Sequence, residues 1–249
     1  MTGKDLSDKI LGVIHAGTWV AETGMRFARE IMPEVTVLHI TDDTIQWAFT
    51  RAMEEKGVAQ EHIPRFNYYR VATYCRFLQE AGAHVILFGC STMNRAVEYA
   101  GPMIDIPIIA IDRPMMDKAV RIGRRVGLLA TLDTTVPSSL RQLRNAATDA
   151  GTEIEIVEIF VGEAFRALRS GDQAIHDRLL LEAIEAHQDR VDVIVMAQLS
   201  MAVLEDQIKA ARFRVPVLNS GREGFTRARE VLESLQGSNE VLSELREGG

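Results

Sequence analysis

Cysteine is scarce in this chain of 249 residues: Cys75 and Cys90 are the only two. Two thiols build no disulfide framework, and such usage fits a reducing compartment, so the expected location is cytoplasmic. Long apolar runs are also missing. None approaches the roughly 18–20 residues of a membrane span, and no membrane partner is expected. The first nine residues are polar and mixed in charge, without the apolar core of a secretory signal. Positive charge is in deficit. A net charge of −7 argues against non-specific nucleic-acid binding. Several motifs are absent as well. No G-x-G-x-x-G follows the first strand and no G-x-x-x-x-G-K-[ST] occurs, which removes support for dinucleotide and P-loop readings. No C-x-x-C or H-E-x-x-H offers a metal site, the six histidines are scattered, and no G-x-S-x-G elbow is present. No metal and no cofactor is implied.

What remains is an ordinary globular composition, 47% apolar and 25% charged. Its pattern is strand alternating with helix. Ile10 to Ile14 reads as a strand, and helical spacing follows from about Glu22 to Ile31, with Pro33 as the stop. Val35 to Ile40 reads as a second strand. Asp42 or Asp43 can cap a helix that runs to Lys56 and ends at Gly57. A helix is predicted over Arg70 to Ala81. Buried strands are predicted around Val85 to Phe88 and over Ile106 to Ile111. Such alternation is the signature of a parallel sheet covered on both faces.

The pattern then repeats, 108 to 119 residues downstream. Val126 to Ala130 matches Leu11 to His15, and Ile154 to Ile159 parallels Val35 to Ile40. Val193 to Gln198 matches Val85 to Cys90, and Val215 to Leu218 matches Ile106 to Ile109. Four strands in the same order imply an internal duplication. The expected fold is α/β, with two pseudo-symmetric three-layer lobes. Each holds a mostly parallel four-stranded sheet, with the active site in the cleft between them. The expected division is 1–113 plus 221–249 for the first lobe and 114–220 for the second. The last helix, from about Glu223 to Leu235, is expected to cross back to the first lobe. A short charged helix is expected within Gly237 to Gly249, with a frayed end.

Ligands of open α/β sheets bind at the carboxyl ends of the strands. Cys90 stands at such an end, where Gly89 breaks the buried strand and Ser91 and Thr92 can cap a helix through Tyr99. A helix N-terminus favours thiolate over thiol. The plainer reading is that Cys90 is a small buried side chain. Cys75, at helical spacing with Val71 and Leu78, is expected to be core. Other polar groups converge on the same cleft. Thr18, Ser91 and Thr92 come from the first lobe, and Thr131, Thr134, Thr135, Gln198 and Ser200 from the second. The Thr-rich turn after Ala130 offers hydroxyls and N–H groups to an anion, or is simply a well-capped helix. His15, at the end of the first strand, is the nearest second proton carrier, or else a hydrogen-bonded strand-end histidine. Arg113 and Arg222 follow the last strand of each lobe and can pair with a carboxylate, though surface arginine is the commoner fate.

Gly89-Cys90-Ser91-Thr92, the Gly127-to-Thr131 strand with its turn, and Met196-Ala197-Gln198 together resemble the aspartate/glutamate/hydantoin racemase superfamily. The resemblance runs from about Leu11 to Ser220. It implies two α/β lobes, independence from pyridoxal phosphate, a small carboxylate substrate and a homodimer or larger homo-oligomer. In that superfamily two cysteines, one per lobe, flank an acidic carbon. Here Cys90 matches the first, with Ser91 where Asn is usual, and Gln198 stands where the second belongs. Glutamine neither takes nor gives a proton at neutral pH. The resemblance thus implies Cys90 as a catalytic group, and leaves His15 as the candidate for a second. It leaves open a racemase or isomerase, a one-sided lyase like the arylmalonate decarboxylases, and a non-catalytic two-lobed anion-binding protein.

Overall fold

A computed structural model describes residues 5–247. The first half runs β1 (Ile10–His15), α1 (Ala21–Ile31), β2 (Thr36–Thr41), α2 (Asp43–Lys56), α3 (Arg65–Glu80), β3 (Val85–Phe88), α4 (Ala96–Ala100), β4 (Ile108–Ala110) and α5 (Arg113–Ile122). The second half runs β5 (Arg125–Ala130), α6 (Val136–Asp149), β6 (Glu155–Phe160), α7 (Gly162–Arg169), α8 (Gln173–His187), β7 (Val193–Met196), α9 (Glu205–Ala211), β8 (Val217–Asn219) and α10 (Ser220–Glu247). Two four-stranded sheets form, ordered β2-β1-β3-β4 and β6-β5-β7-β8, and every strand pair is parallel. The duplicated strand pattern in the sequence is therefore a duplicated topology.

Matching residues do matching work in the two sheets. The central strands Val85–Phe88 and Val193–Met196 are buried throughout, as apolar strands covered on both faces must be. Gly12 and Gly127 sit where helix or neighbouring strand presses close. A Cβ on Gly12 would lie 2.9 Å from Leu78 Cδ1, and one on Gly127 would lie 3.1 Å from Ile159 and Ile194 side chains. The edge strands β4 and β8 begin two residues later than the apolar pattern predicts, at Ile108 and Val217. Pro107 and Pro216 have no N–H to give, yet their carbonyls accept from Ile86 N–H and Ile194 N–H, both at 2.9 Å. α3 begins earlier than periodicity predicts, at Arg65, because Pro64 presets the helix start. α2 is capped as expected, with the Asp42 side chain accepting from Thr44 N–H.

The helix that leaves each sheet packs on the other one. Met115, Met116, Ala119 and Val120 of α5 join the core around Leu128, Leu143 and Val195. Phe225, Ala228 and Leu232 of α10 join the core around Leu11, Val13, Val85 and Leu87. This exchange fixes the two lobes face to face. Cys75 is buried in the remaining core with Ile86 and Phe88, and that burial pushes its thiol up to about 12. Of the tail, α10 runs on to Glu247, and residues 248–249 lie outside the described ones. No helix of the described residues is long and apolar enough to cross a membrane.

Candidate active site

Strand ends of both sheets open onto one small cavity of about 50 Å³. Gly89, Cys90, Ser91 and Thr92 follow β3 on one side. Leu132 and Thr135 follow β5, and Gln198, Leu199 and Ser200 follow β7, on the other. Ala16, Gly17, Trp19, Val20, Gln46 and Phe49 complete the wall. Of the predicted site residues, Cys90, Ser91, Thr92, Thr135, Gln198 and Ser200 therefore meet. A hydrogen bond of 2.8 Å between the Thr92 and Thr135 hydroxyls ties the lobes together beside the thiol. The Ser200 hydroxyl is buried and has no hydrogen-bond partner among the described residues.

Gln198 occupies its place firmly. Its Oε1 accepts from Thr131 N–H at 2.9 Å, and its Nε2 donates to Thr131 Oγ1 at 2.8 Å. The reciprocal pair holds the carboxamide in one orientation and leaves one N–H and one lone-pair direction of Gln198 uncommitted. Thr131 itself stands behind Gln198 and off the cavity wall. The turn that follows spends its donors internally. Thr134 N–H goes to Asp133 Oδ1, and Thr135 N–H goes to the Leu132 carbonyl. That turn is a satisfied cap more than an open anion cradle.

Cys90 differs from its expected state. Residues 91–95 form turns, and α4 starts only at Ala96 and lasts five residues, so no full helix points at the sulfur. The loop still aims the Met93 and Thr92 N–H groups at it, which lowers the thiol pKa. Burial works the other way and dominates, helped by the negative charge of Asp112. The thiol is pushed up to about 12 and rests protonated.

Other predicted residues fall elsewhere. His15 lies on the opposite face of the sheet from Cys90. Side chains alternate along a strand, so His15 shares the α1 and α10 side with Leu11 and Val13. Its ring stacks on His39 at 5.8 Å, and a Cβ on Gly24 would lie 2.8 Å from Cε1. Both ring nitrogens are buried without partners among the described residues, and burial, helped by His39, holds the imidazole down at about 4. It is a neutral core histidine and not a second proton carrier at the cavity. Thr18 is exposed and bound to Asp43 through its N–H and hydroxyl. Thr134 faces a separate outer groove. Neither arginine reaches the cavity. Arg113 pairs with Asp117 and Asp149, and Arg222 pairs with Glu205 and Glu30.

One important residue escaped the sequence reading. Asp112 follows β4, is fully buried, and accepts at 2.8 Å from Asn94 Nδ2, while its other oxygen has no hydrogen-bond partner among the described residues. Asn94 in turn accepts from Arg141 at 2.8 Å. Burial raises the Asp112 carboxyl to about 6, against the pull of Asn94, Arg141 and Gln142. The strand-end logic that picked out Cys90 applies equally to Asp112, directly after buried Ile111. Among the described residues no group of three or more His, Cys, Asp or Glu is placed to hold a metal ion.

Comparison with known proteins agrees with this architecture. A glutamate racemase from Trichodesmium erythraeum is 24% identical over 196 residues, which cover 75% of this chain and 65% of that one. The chain thus spans somewhat less than two thirds of that relative. An aspartate racemase homologue from Pyrococcus horikoshii superposes with a TM-score of 0.68 at 18% identity, over 91% of this chain and 99% of that one. An allantoin racemase from Klebsiella pneumoniae gives 0.66 at 20% identity, over 92% and 89% of the two chains. Residues 21–228 match the model of the Asp/Glu/hydantoin racemase family, and the chain belongs to that family.

Proposed function

We propose that this chain is a cofactor-independent enzyme acting at the acidic carbon of a small carboxylate, with Cys90 as the acid and base on one face. The observation that supports this most is the makeup of the cavity wall. Cys90 is the only described side chain there that can carry a proton to or from carbon, and Gln198 shares the wall from the other lobe. The relatives named as glutamate, aspartate and allantoin racemases make amino acids and hydantoin-like amides the first substrates to try. Ser91, Thr92, Thr135 and Ser200 supply hydroxyls for the carboxylate, and the free N–H of Gln198 meets charge that develops as the proton leaves.

A one-sided lyase is the second reading, and two observations favour it. The thiol rests protonated, and Gln198 is held by Thr131 and cannot carry a proton. In that reaction the carbon–carboxylate bond breaks to release CO₂. The enolate left behind takes the proton from Cys90 Sγ, and solvent then reprotonates the thiolate.

The test is to incubate candidate amino acids, hydantoins and malonates in deuterated water. Deuterium entry, optical rotation and CO₂ are followed together. Deuterium entry with inversion supports a racemase, entry with retained configuration a one-sided exchange, and CO₂ release the lyase. Cys90→Ala is expected to abolish each while preserving ligand binding. A Cys90→Ala protein that turns over normally refutes the role of the thiol. Binding with no turnover in the wild type would leave a small-anion binding protein.

A further inference from the structure

The cavity at Cys90 is too small for the substrates that the fold invites. The roughly 50 Å³ open to water centres holds a few waters at most, since one needs about 10–15 Å³. Directly outside it lies a second space of about 980 Å³, and Trp19, Gln46 and Leu132 belong to the walls of both. This outer groove spans the lobes. Trp47 and Met53 come from α2, and Phe165 and Leu168 from α7. Trp47 is 69% exposed and Trp19 44% exposed, unusual for the largest apolar side chains.

Of the three residues shared by the two walls, Trp19 has the largest side chain. Trp19 Nε1 donates to Gln46 Oε1 at 3.1 Å, and the ring meets Phe165 edge-on at 6.0 Å. The indole lies directly over Gly17, where a Cβ would stand 2.5 Å from Nε1. Only a residue without a side chain leaves that berth free. The hydrogen bond that holds the ring is exposed and Trp19 is 44% exposed, so the indole has room to turn on the groove side.

From this geometry we infer that Trp19 is a swinging partition, and that the groove beyond it holds a flat apolar substituent on the carbon presented to Cys90. The charges around the groove disfavour a second anion. Asp43, Glu54 and Asp133 outnumber Arg51 and Arg169, and Arg51 is paired with Glu55. The occupant is therefore not a second anion, and the ring faces of Trp19, Trp47 and Phe165 suit a flat aromatic group. The inference rests on the Cys90 cavity as the substrate site, and the test separates the two.

Both tryptophans of the chain line this groove, so intrinsic fluorescence reads its occupancy directly. The probes are succinate and phenylsuccinate, titrated into the full chain. Phenylsuccinate is expected to bind at least about tenfold more tightly, the scale set by apolar complementarity in a pocket. Phe165→Ala, read by the same fluorescence, and Trp47→Ala, read by calorimetry, are expected to remove that preference and leave succinate unchanged. Trp19→Ala, with Trp19→Phe as the milder form, is expected to speed N-phenylmaleimide labelling of Cys90 several-fold against the buried Cys75 control. Equal affinities, or no binding of either probe, overturn the groove assignment. So does a Trp47→Ala protein that changes its mass by light scattering while keeping the preference, since the face then covers another copy. Unchanged labelling in both Trp19 variants overturns the partition. Failure of the catalytic reading shows differently: Cys90→Ala would keep deuterium exchange, while the binding preference stands or falls independently.

Discussion

Replacing Asp112 by asparagine isolates one electrostatic cost. The folded protein raises this carboxyl from 3.8 to about 6, chiefly by burial. The folded state thus holds the proton over a pH range in which the unfolded chain has lost it. Stability must fall as pH rises through that range, from about pH 4 to about pH 6. The gap corresponds to about 3 kcal/mol, since each unit is worth about 1.4 kcal/mol. A carboxamide at this position accepts from Asn94 as the carboxyl does but never ionises. Relative to wild type, Asp112→Asn is therefore expected to gain about 3 kcal/mol on going from pH 4 to pH 7, apart from a constant offset for altered hydrogen bonds. The same change removes the negative charge that raises the Cys90 thiol, so alkylation of Cys90 begins at lower pH. Urea denaturation of both proteins across that interval measures the first effect, and peptide mass spectrometry the second. Taking the difference between variants cancels Asp42 and Glu205, whose carboxyls are lowered in the folded state. A difference that stays flat with pH would refute the reasoning.

His15 gives the opposite slope. Its imidazole is held at about 4 against an ordinary 6.5, so stability rises with pH between those values. His15→Gln should gain about 3 kcal/mol over wild type as pH falls from 6.5 to 4, read by the same denaturation series, and should leave turnover and its pH profile unchanged. Gln198→Cys places a second thiol on the opposite wall and is expected to add racemisation, seen as loss of optical rotation. An unchanged stereochemical course counts against the two-wall geometry. Arg222→Met leaves the largely buried Glu205 without its main partner and cuts the tie to Glu30 on α1, so urea unfolding should show a loss of about 3 kcal/mol.

The fold was legible because burial writes directly into composition. Val85–Phe88 and Val193–Met196 are apolar throughout since helices cover both faces, and their repetition marks the duplicated sheet. The paired Gly12 and Gly127, and the paired Pro107 and Pro216, repeat for steric reasons at equivalent points. The strand ends were legible on the same logic, which is why Cys90, Ser91, Thr92, Thr135, Gln198 and Ser200 meet in one cavity. What periodicity does not encode is which face a strand end uses. His15 and Cys90 both end a strand, yet one points toward α1 and the other into the cleft.

The state of Cys90 was the harder matter, because its pKa is set by a competition that no local motif displays. Ser91-Thr92 read as a helix cap, and the N–H groups do reach the sulfur. The loop between Ser91 and Arg95 nevertheless turns without forming a helix, so the expected dipole shrinks to two N–H groups. Burial by the second lobe and the Asp112 carboxylate both come from residues distant in sequence, and together they win. A thiol at about 12 is a poor resting base and a competent acid. The absence of a second thiol points the same way: Gln198 is fixed by Thr131 as a donor, never as a proton carrier. On the proposed reading of the site, a thiol that keeps its proton and a carboxamide fixed by Thr131 both favour proton donation over two-sided proton abstraction.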